Sequence, residues 1–236
     1  MIVDMLPIGL SSVYLWFSTA AGIAGNICAI SLYVSPMPTF KRIITNKSTE
    51  QFSGLPYIYG LLNCLICTWY GLPIVKSGII MVATVNSIGA VFLLVYLIIF
   101  ITYAEKSIKL RISGLLAAVS VLFEAVVLVS LRLVGHEREL FVGYICAFSV
   151  VSVYASPLFI INLVIKTRSV EFMPFNLSLA TFLVSFSFCA YGALQGDPFV
   201  YIPNSLGTIL GFVQLVLYSY YSKMSGDDDS REPLLA

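Results

Sequence analysis

Charge is what this chain is short of. Of its 236 residues only 11% are Asp, Glu, Lys or Arg, while 59% are hydrophobic. Soluble domains carry roughly 25% charged residues, so this chain has too little polar surface to wet a core on every side and belongs in a bilayer. The few charges nearly cancel, at +1, which removes the basic face that nucleic acid requires and excludes it as a partner. The single histidine, His136, stands beside Glu137, Arg138 and Glu139 and reads as part of a solvated turn. No cluster of acid, base and nucleophile and no set of metal ligands falls within the apolar stretches. Neither an enzyme nor a cofactor is expected. The five cysteines, Cys28, Cys64, Cys67, Cys146 and Cys189, all lie in apolar runs. They read as small, polarizable packing residues rather than a disulfide framework. Cys64 and Cys67 form a CxxC with no second pair to complete a metal site.

What is present is length of apolar chain. Seven segments of spanning length, about 20 residues each, run roughly Tyr14–Val34, Leu55–Val75, Ile79–Thr102, Ile112–Val134, Val142–Ile165, Phe175–Leu194 and Phe199–Tyr221. The first is preceded by Asp4 and followed by Ser35-Pro36-Met37-Pro38, which is not the pattern of a cleaved signal peptide. Most of the thirteen basic residues fall on one side: Lys41, Arg42, Lys47, Lys106, Lys109, Arg111, Lys166, Arg168, Lys223 and Arg231, against Lys76, Arg132 and Arg138 on the other. By the positive-inside rule the N-terminus faces outward and the C-terminus the cytoplasm. The sequons at Asn46 and Asn176 then lie on the cytoplasmic side.

The sequence repeats itself. Asn86-Ser87-Ile88-Gly89 returns as Asn204-Ser205-Leu206-Gly207, 118 residues later. Ser35-Pro36 matches Ser156-Pro157, Ser48-Thr49-Glu50 matches Ser169-Val170-Glu171 and Tyr70-Gly71 matches Tyr191-Gly192, each at 121, while Pro56 and Pro174 pair at 118. Each repeat holds three spans. An odd repeat placed directly after itself would enter the membrane upside down, so the unmatched fourth span restores the direction. The expected fold is therefore an all-α membrane protein of seven transmembrane helices, two parallel three-helix bundles joined by a linker helix in a 3+1+3 arrangement. The divisions are 1–12 outside, 13–104 first repeat, 105–141 linker helix with its loops, 142–222 second repeat and 223–236 a disordered cytoplasmic tail. That tail ends in Leu234-Leu235, with Ser230 where an acidic dileucine signal carries its acid.

An asparagine inside a lipid-length helix is costly unless something polar faces it. Two at matching places, Asn86 and Asn204, point to a polar site shared by the halves, the alternative being interhelical glue. A carboxamide offers two donors and an acceptor in one plane.

The order and spacing of Pro36, Pro56, Trp69-Tyr70-Gly71, Pro157, Pro174 and the two Asn-Ser-x-Gly stretches resemble the SWEET (saliva-domain) sugar transporters of plant type, over about residues 10–222. Parallel repeats are a known property of that family. The resemblance implies a passive, bidirectional carrier of a mono- or disaccharide, more a glucose-like hexose, working by alternating access. It implies that Asn86 and Asn204 bind the sugar, and that Cys67 and Phe188 grip it from above and below. Asn63 and Val184 lie one turn further on the same faces. The four prolines become hinges and Tyr70 and Tyr191 an outer gate. Read as residues alone, Cys67 and Phe188 are equally packing groups, the prolines helix boundaries and the tyrosines interfacial anchors. Expected partners are the sugar, the bilayer and further copies of the chain, as a trimer, or related chains, in the plasma or vacuolar membrane. Glu124, on the linker span, is the one acid read at helix depth and reads as a structural or interface group. Rival readings are a seven-helix receptor and a sorting-signal receptor of the same architecture without sugar flux. The first is not built from two parallel triplets; the second needs charge in its cavity.

Overall fold

In lipid each backbone N–H and C=O must find its partner within its own helix. The structure, a computed structural model, describes residues 8–171 and 173–229, with side chains over 13–171 and 173–222. Those residues form helices α1 Ile8–Val34, α2 Met37–Asn46, α3 Leu55–Gly71, α4 Ile80–Tyr103, α5 Lys106–Arg132, α6 His136–Val153, α7 Ala155–Thr167, α8 Phe175–Gln195 and α9 Pro198–Asp229. α1 runs on into α2 and α6 into α7, broken only at Ser35-Pro36 and at Tyr154, so the nine segments make seven rods. Six of these are long and apolar enough to cross a membrane. The remaining one, α3, has 17 residues. The apolar run expected to reach Val75 stops at Gly71 because Pro73 follows Leu72, which takes an extended conformation (φ −75°, ψ 143°). A residue before proline is pushed out of the helical region.

Residues 223–229, the first part of the tail expected to be disordered, continue α9 as helix. The dileucine lies outside the described residues.

The rods sort into two triplets, α1–α3–α4 and α6–α8–α9. Within each, α3 packs on α4 and α8 on α9, and the first helix packs on the last (α1 on α4, α6 on α9). Between them, α1 meets α8 and α3 meets α6, and these two interfaces exchange under the sequence repeat. The linker α5 packs chiefly against α3, where the Trp69 indole N–H donates to Ser130 Oγ at 2.9 Å.

The repeat persists at the level of atoms. Lys47 and Arg168, 121 apart, both cap a helix in the left-handed region (φ 49° and 52°). The Ser48 and Ser169 hydroxyls each accept the N–H two residues on, from Glu50 and Glu171, at 3.1 and 3.3 Å. Pro56 and Pro174 differ: the first lies inside the opening turn of α3, the second just before α8. Their mismatched offset therefore reflects two different cap positions.

Helices in lipid receive no hydrophobic push toward one another, so small residues must let backbones approach. A Cβ on Gly71 would stand 2.5 Å from the Ala83 amide nitrogen, and one on Gly192 2.7 Å from that of Tyr201, its repeat equivalent. Gly22 meets Met81 as Gly143 meets Phe199. We expect Gly71→Ala to cost about 1–3 kcal/mol through overpacking against backbone that has no rotamer to yield. Gly114→Ala, with nothing within 4 Å of the added carbon, should leave thermal unfolding in detergent unchanged or slightly raised. Equal melting of the two variants would refute the close-packing account.

Candidate functional site

The repeated asparagines are held alike. Each turns its amide N–H onto the carbonyl one turn back in its own helix, Asn86 onto Val82 at 2.9 Å and Asn204 onto Val200 at 2.8 Å. Both side chains are half-buried, and among the described hydrogen bonds each amide makes only this one. Its carbonyl oxygen and second N–H have no partner among the described residues. A third intramembrane asparagine shows the contrast. Asn26 donates to the Gly22 and Met81 carbonyls (2.9 and 3.1 Å) and accepts from Thr84 Oγ1 at 3.0 Å, joining α1 to α4. Asn26 is the interhelical glue; Asn86 and Asn204 are not spent that way.

Cys67, Phe188, Tyr70 and Tyr191 fall in one buried cluster drawn from both triplets, with Val184 packed against it. The Phe188 ring stands edge-on to Tyr191, centroids 6.2 Å apart. Cys67 Sγ lies 3.2 Å from Cys146 Sγ on α6 and 3.7 Å from Asn63 Oδ1. Asn63 Oδ1 also accepts from Ser149 Oγ at 2.6 Å. Asn63 is thus a bridge between the triplets, whereas its repeat partner Val184 is apolar.

The two tyrosines bond across the triplets at one end. Tyr70, wholly buried, donates its hydroxyl to the carboxylate of Asp197 (2.8 and 3.0 Å to the two oxygens), and Tyr191 donates to the Gly78 carbonyl at 3.1 Å. Each reaches from its own triplet to the turn preceding the last helix of the other. Local chain chemistry places Asp197. Gly196, at φ 67°, ends α8 in the left-handed conformation that glycine adopts without penalty. The Gly196 and Asp197 N–H groups return to the Ala193 and Gly192 carbonyls. Asp197 Oδ1 then accepts the Phe199 N–H at 3.0 Å, a cap for α9 just ahead of Pro198. Burial pushes the Asp197 carboxyl above the usual range, opposed by the Tyr70 hydrogen bond and by Lys76 nearby. Around this end Lys76 Nζ pairs with Glu139 at 2.5 Å, and the Arg138 guanidinium joins the Ile74 carbonyl to the last carbonyls of α5.

Among the described residues, the hydrogen bonds between triplets all lie between the level of Asn63–Ser149 and this tyrosine end. They include Tyr14 to the Leu194 carbonyl and Gln195 to Ser18. At the other end Pro56 and Pro174 are exposed, and Pro36 and Pro157 half-buried. Pro36 caps α2 and Pro157 sits in the first turn of α7, so both mark the breaks in the long rods.

Three groups were missed by sequence reasoning. Asp197 is one; Glu124, taken as the one acid at depth, is exposed on α5, while Asp197 is the acid that is fully buried. The others are Tyr33 and Tyr154. A Cβ on Gly89 would strike the Tyr33 ring at 2.4 Å, and one on Gly207 the Tyr154 hydroxyl. This explains the glycine of each Asn-Ser-x-Gly. Tyr33 also meets Cys64 Sγ at 3.9 Å as Tyr154 meets Ser185 Oγ at 3.3 Å. The signal was available: Tyr-x-Ser-Pro occurs at 33–36 and again at 154–157.

Two parallel three-helix triplets related by the repeat and joined by a linker helix are the plan of a membrane transporter. A family model described as "Sugar efflux transporter for intercellular exchange" matches twice, at residues 19–108 and 140–225, starting 121 residues apart and leaving α5 between. The chain is 59% identical over 216 residues to the bidirectional sugar transporter SWEET2a of Sorghum bicolor (91% of this chain, 88% of that protein). It is 57% identical over 216 residues to SWEET2 of Arabidopsis thaliana (91% and 92%). A solved eukaryotic SWEET transporter superposes with a TM-score of 0.88 at 52% identity, covering 89% of this chain and 99% of that one. The chain belongs to the SWEET (MtN3/saliva) family of bidirectional sugar transporters.

Removing the Tyr70 hydroxyl takes from a buried carboxylate one of two donors, the Phe199 N–H being the other, a loss of about 2 kcal/mol or roughly 30-fold in the equilibrium for parting this contact. Tyr70→Phe should therefore speed labelling of Val75→Cys by an impermeant maleimide added at the tyrosine end; unchanged labelling would show that this bond does not hold the mouth. The pH response has a definite sign. Asp197 binds its proton more tightly when buried than when an open mouth wets it, so acidification from pH 7 towards its raised pKa should favour the closed form and slow that labelling. Asp197→Asn should abolish the pH dependence.

Proposed function

We propose that the protein is a passive uniporter that carries a glucose-like hexose in either direction by alternating access. The sugar is held between Asn86 and Asn204, with Cys67 and Phe188 gripping it and Asn63 and Val184 one turn away. The observation that carries this reading is the paired treatment of the two carboxamides. Each makes one bond at the same place on its helix and is half-buried, unlike Asn26, whose amide is fully engaged. A neutral site suits a neutral ligand. A millimolar dissociation constant corresponds to only about −4 kcal/mol, within reach of a few hydrogen bonds and one stacked ring, and release from such a site is fast.

In this reading the structure is the state closed at Tyr70 and Tyr191 and parted at Pro36, Pro56, Pro157 and Pro174. The prolines then act as hinges where the long rods break. The distribution of Lys and Arg supports an N-terminus outside or luminal and a C-terminus in the cytoplasm, in the plasma or vacuolar membrane, so this state opens inward. Glu124 is exposed on α5 beside the exposed Val121, Leu122 and Leu128. A carboxylate at that depth costs about 2.5 kcal/mol or more unless partnered, which supports assembly with further copies, as a trimer, or with related chains.

Reconstituted in liposomes, Asn86→Ala and Asn204→Ala should each abolish radiolabelled glucose uptake while the protein stays folded and inserted. Full transport by both variants would remove the site assignment. Counterflow should continue unchanged in the presence of a protonophore, because among the described residues no buried acid but Asp197, at the tyrosine end, is present; its collapse would replace the uniporter with a proton-coupled carrier.

A further inference from the structure

The two residues proposed to grip the sugar each rest on a seat in the opposite triplet, and the seats are themselves related by the repeat. Phe188, on α8, lies against Gly25 of α1: a Cβ there would meet its ring atoms Cε2 at 2.7 Å and Cδ2 at 2.9 Å. Cys67, on α3, lies against Cys146 of α6, sulfur to sulfur at 3.2 Å. Cys67 and Phe188 are 121 residues apart, and so are Gly25 and Cys146. The two contacts are one contact used twice, once as a ring over a bare backbone and once as two thiols. The largest grip residue has the smallest seat. Gly25 lies within helix α1, so no unusual dihedral demands a glycine there, and the ring contact is what a side chain would disturb. Tyr191 stands edge-on at 6.2 Å on the same helix, so a Phe188 ring pushed off Gly25 has to turn away from α1.

We propose that Gly25 and Cys146 are positioning residues that set the width of the sugar path by fixing how far Phe188 and Cys67 project into it, and so determine which substrates pass. This rests on the carrier reading above. Added bulk at Gly25 drives the ring inward and narrows the path. Loss of bulk at Cys146 lets the thiol retreat and widens it. A merely structural role would lower every rate together; a role in width changes the ratio between sugars of different size.

The test measures uptake of 2-deoxyglucose, glucose and 3-O-methylglucose into proteoliposomes holding the full chain. Gly25→Ala should lower the 3-O-methylglucose to 2-deoxyglucose ratio by about tenfold, the discrimination that one methylene gives in a packed pocket. Adding Phe188→Leu to it should restore the ratio. Cys146→Gly should move the ratio the other way, and it serves where Gly25→Ala does not fold. Ratios unchanged in either single variant, or a Gly25→Ala effect that Phe188→Leu does not relieve, would overturn the inference and leave the carrier reading standing. A wild type that carries none of the three sugars would overturn the carrier reading and this inference with it.

Discussion

A helix bundle in lipid has to be held together by proximity, because the surrounding tails are as apolar as its own side chains. In this chain proximity is supplied by glycines at which a neighbouring helix has already taken the place of a Cβ. Gly71 against Ala83 and Gly192 against Tyr201 clamp the second helix of each triplet to the third by direct backbone approach. Gly89 and Gly207 receive a tyrosine from the broken rod of the same triplet. With each triplet closed up by such contacts, the proposed rocking would fall on the seam between triplets. That seam carries hydrogen bonds that exchange readily with water, such as Tyr191 to the Gly78 carbonyl, beside side-chain packing such as the Phe188 ring on Gly25. Rigid halves and a wettable joint are what a rocking carrier requires.

The joint is uneven along its length. From Asn63–Ser149 to the tyrosine end it carries hydrogen bonds and the Lys76–Glu139 ion pair; past that level the prolines stand exposed or half-buried. Asp197 is the one fully buried charge among the described residues, and its placement there rather than beside Asn86 or Asn204 matters. A charge next to the sugar would bind counter-ions and tie each transport step to protonation. At the tyrosine end its desolvation is offset by Tyr70, by the Phe199 N–H and by Lys76 nearby, and where that contact parts water can take the place of the Tyr70 hydroxyl.

Much of this was legible in the residues because it depends on local pattern. Span lengths, the unmatched linker and the 118 and 121 offsets follow from hydropathy and repetition, and Pro73 alone forecasts the early end of α3. What was hidden depends on pairing across the chain. Gly196-Asp197-Pro198 reads as an ordinary helix stop and cap, which it is; nothing in it announces that Tyr70, 127 residues earlier, will press its hydroxyl on the same carboxylate. Asn26 was overlooked because it has no twin, although its chemistry equals that of Asn86, and only the positions of Met81 and Thr84 show that its amide is consumed. Cys67 was placed by the resemblance, but its neighbour Cys146 lies on a helix whose facing could not be read from a stretch that is apolar all round.

The pattern of likeness and difference between the repeats has its own logic. Where helix meets helix the duplication is conserved in kind: Gly22 with Gly143, Gly71 with Gly192, Tyr33 with Tyr154. At the proposed site it is broken: Cys67 against Phe188, Asn63 against Val184, Gly25 against Cys146. A pyranose has no twofold axis, so a pocket presenting the same groups from both sides would fit one face of the sugar and misfit the other. Packing between helices has no such demand, since identical contacts serve both halves equally well. In the proposed site Asn86 and Asn204 can stay alike, because a carboxamide is indifferent to which hydroxyl it meets, offering donor and acceptor together. The asymmetry therefore falls on the residues whose shape matters, and the symmetry remains on those whose task is to hold the frame.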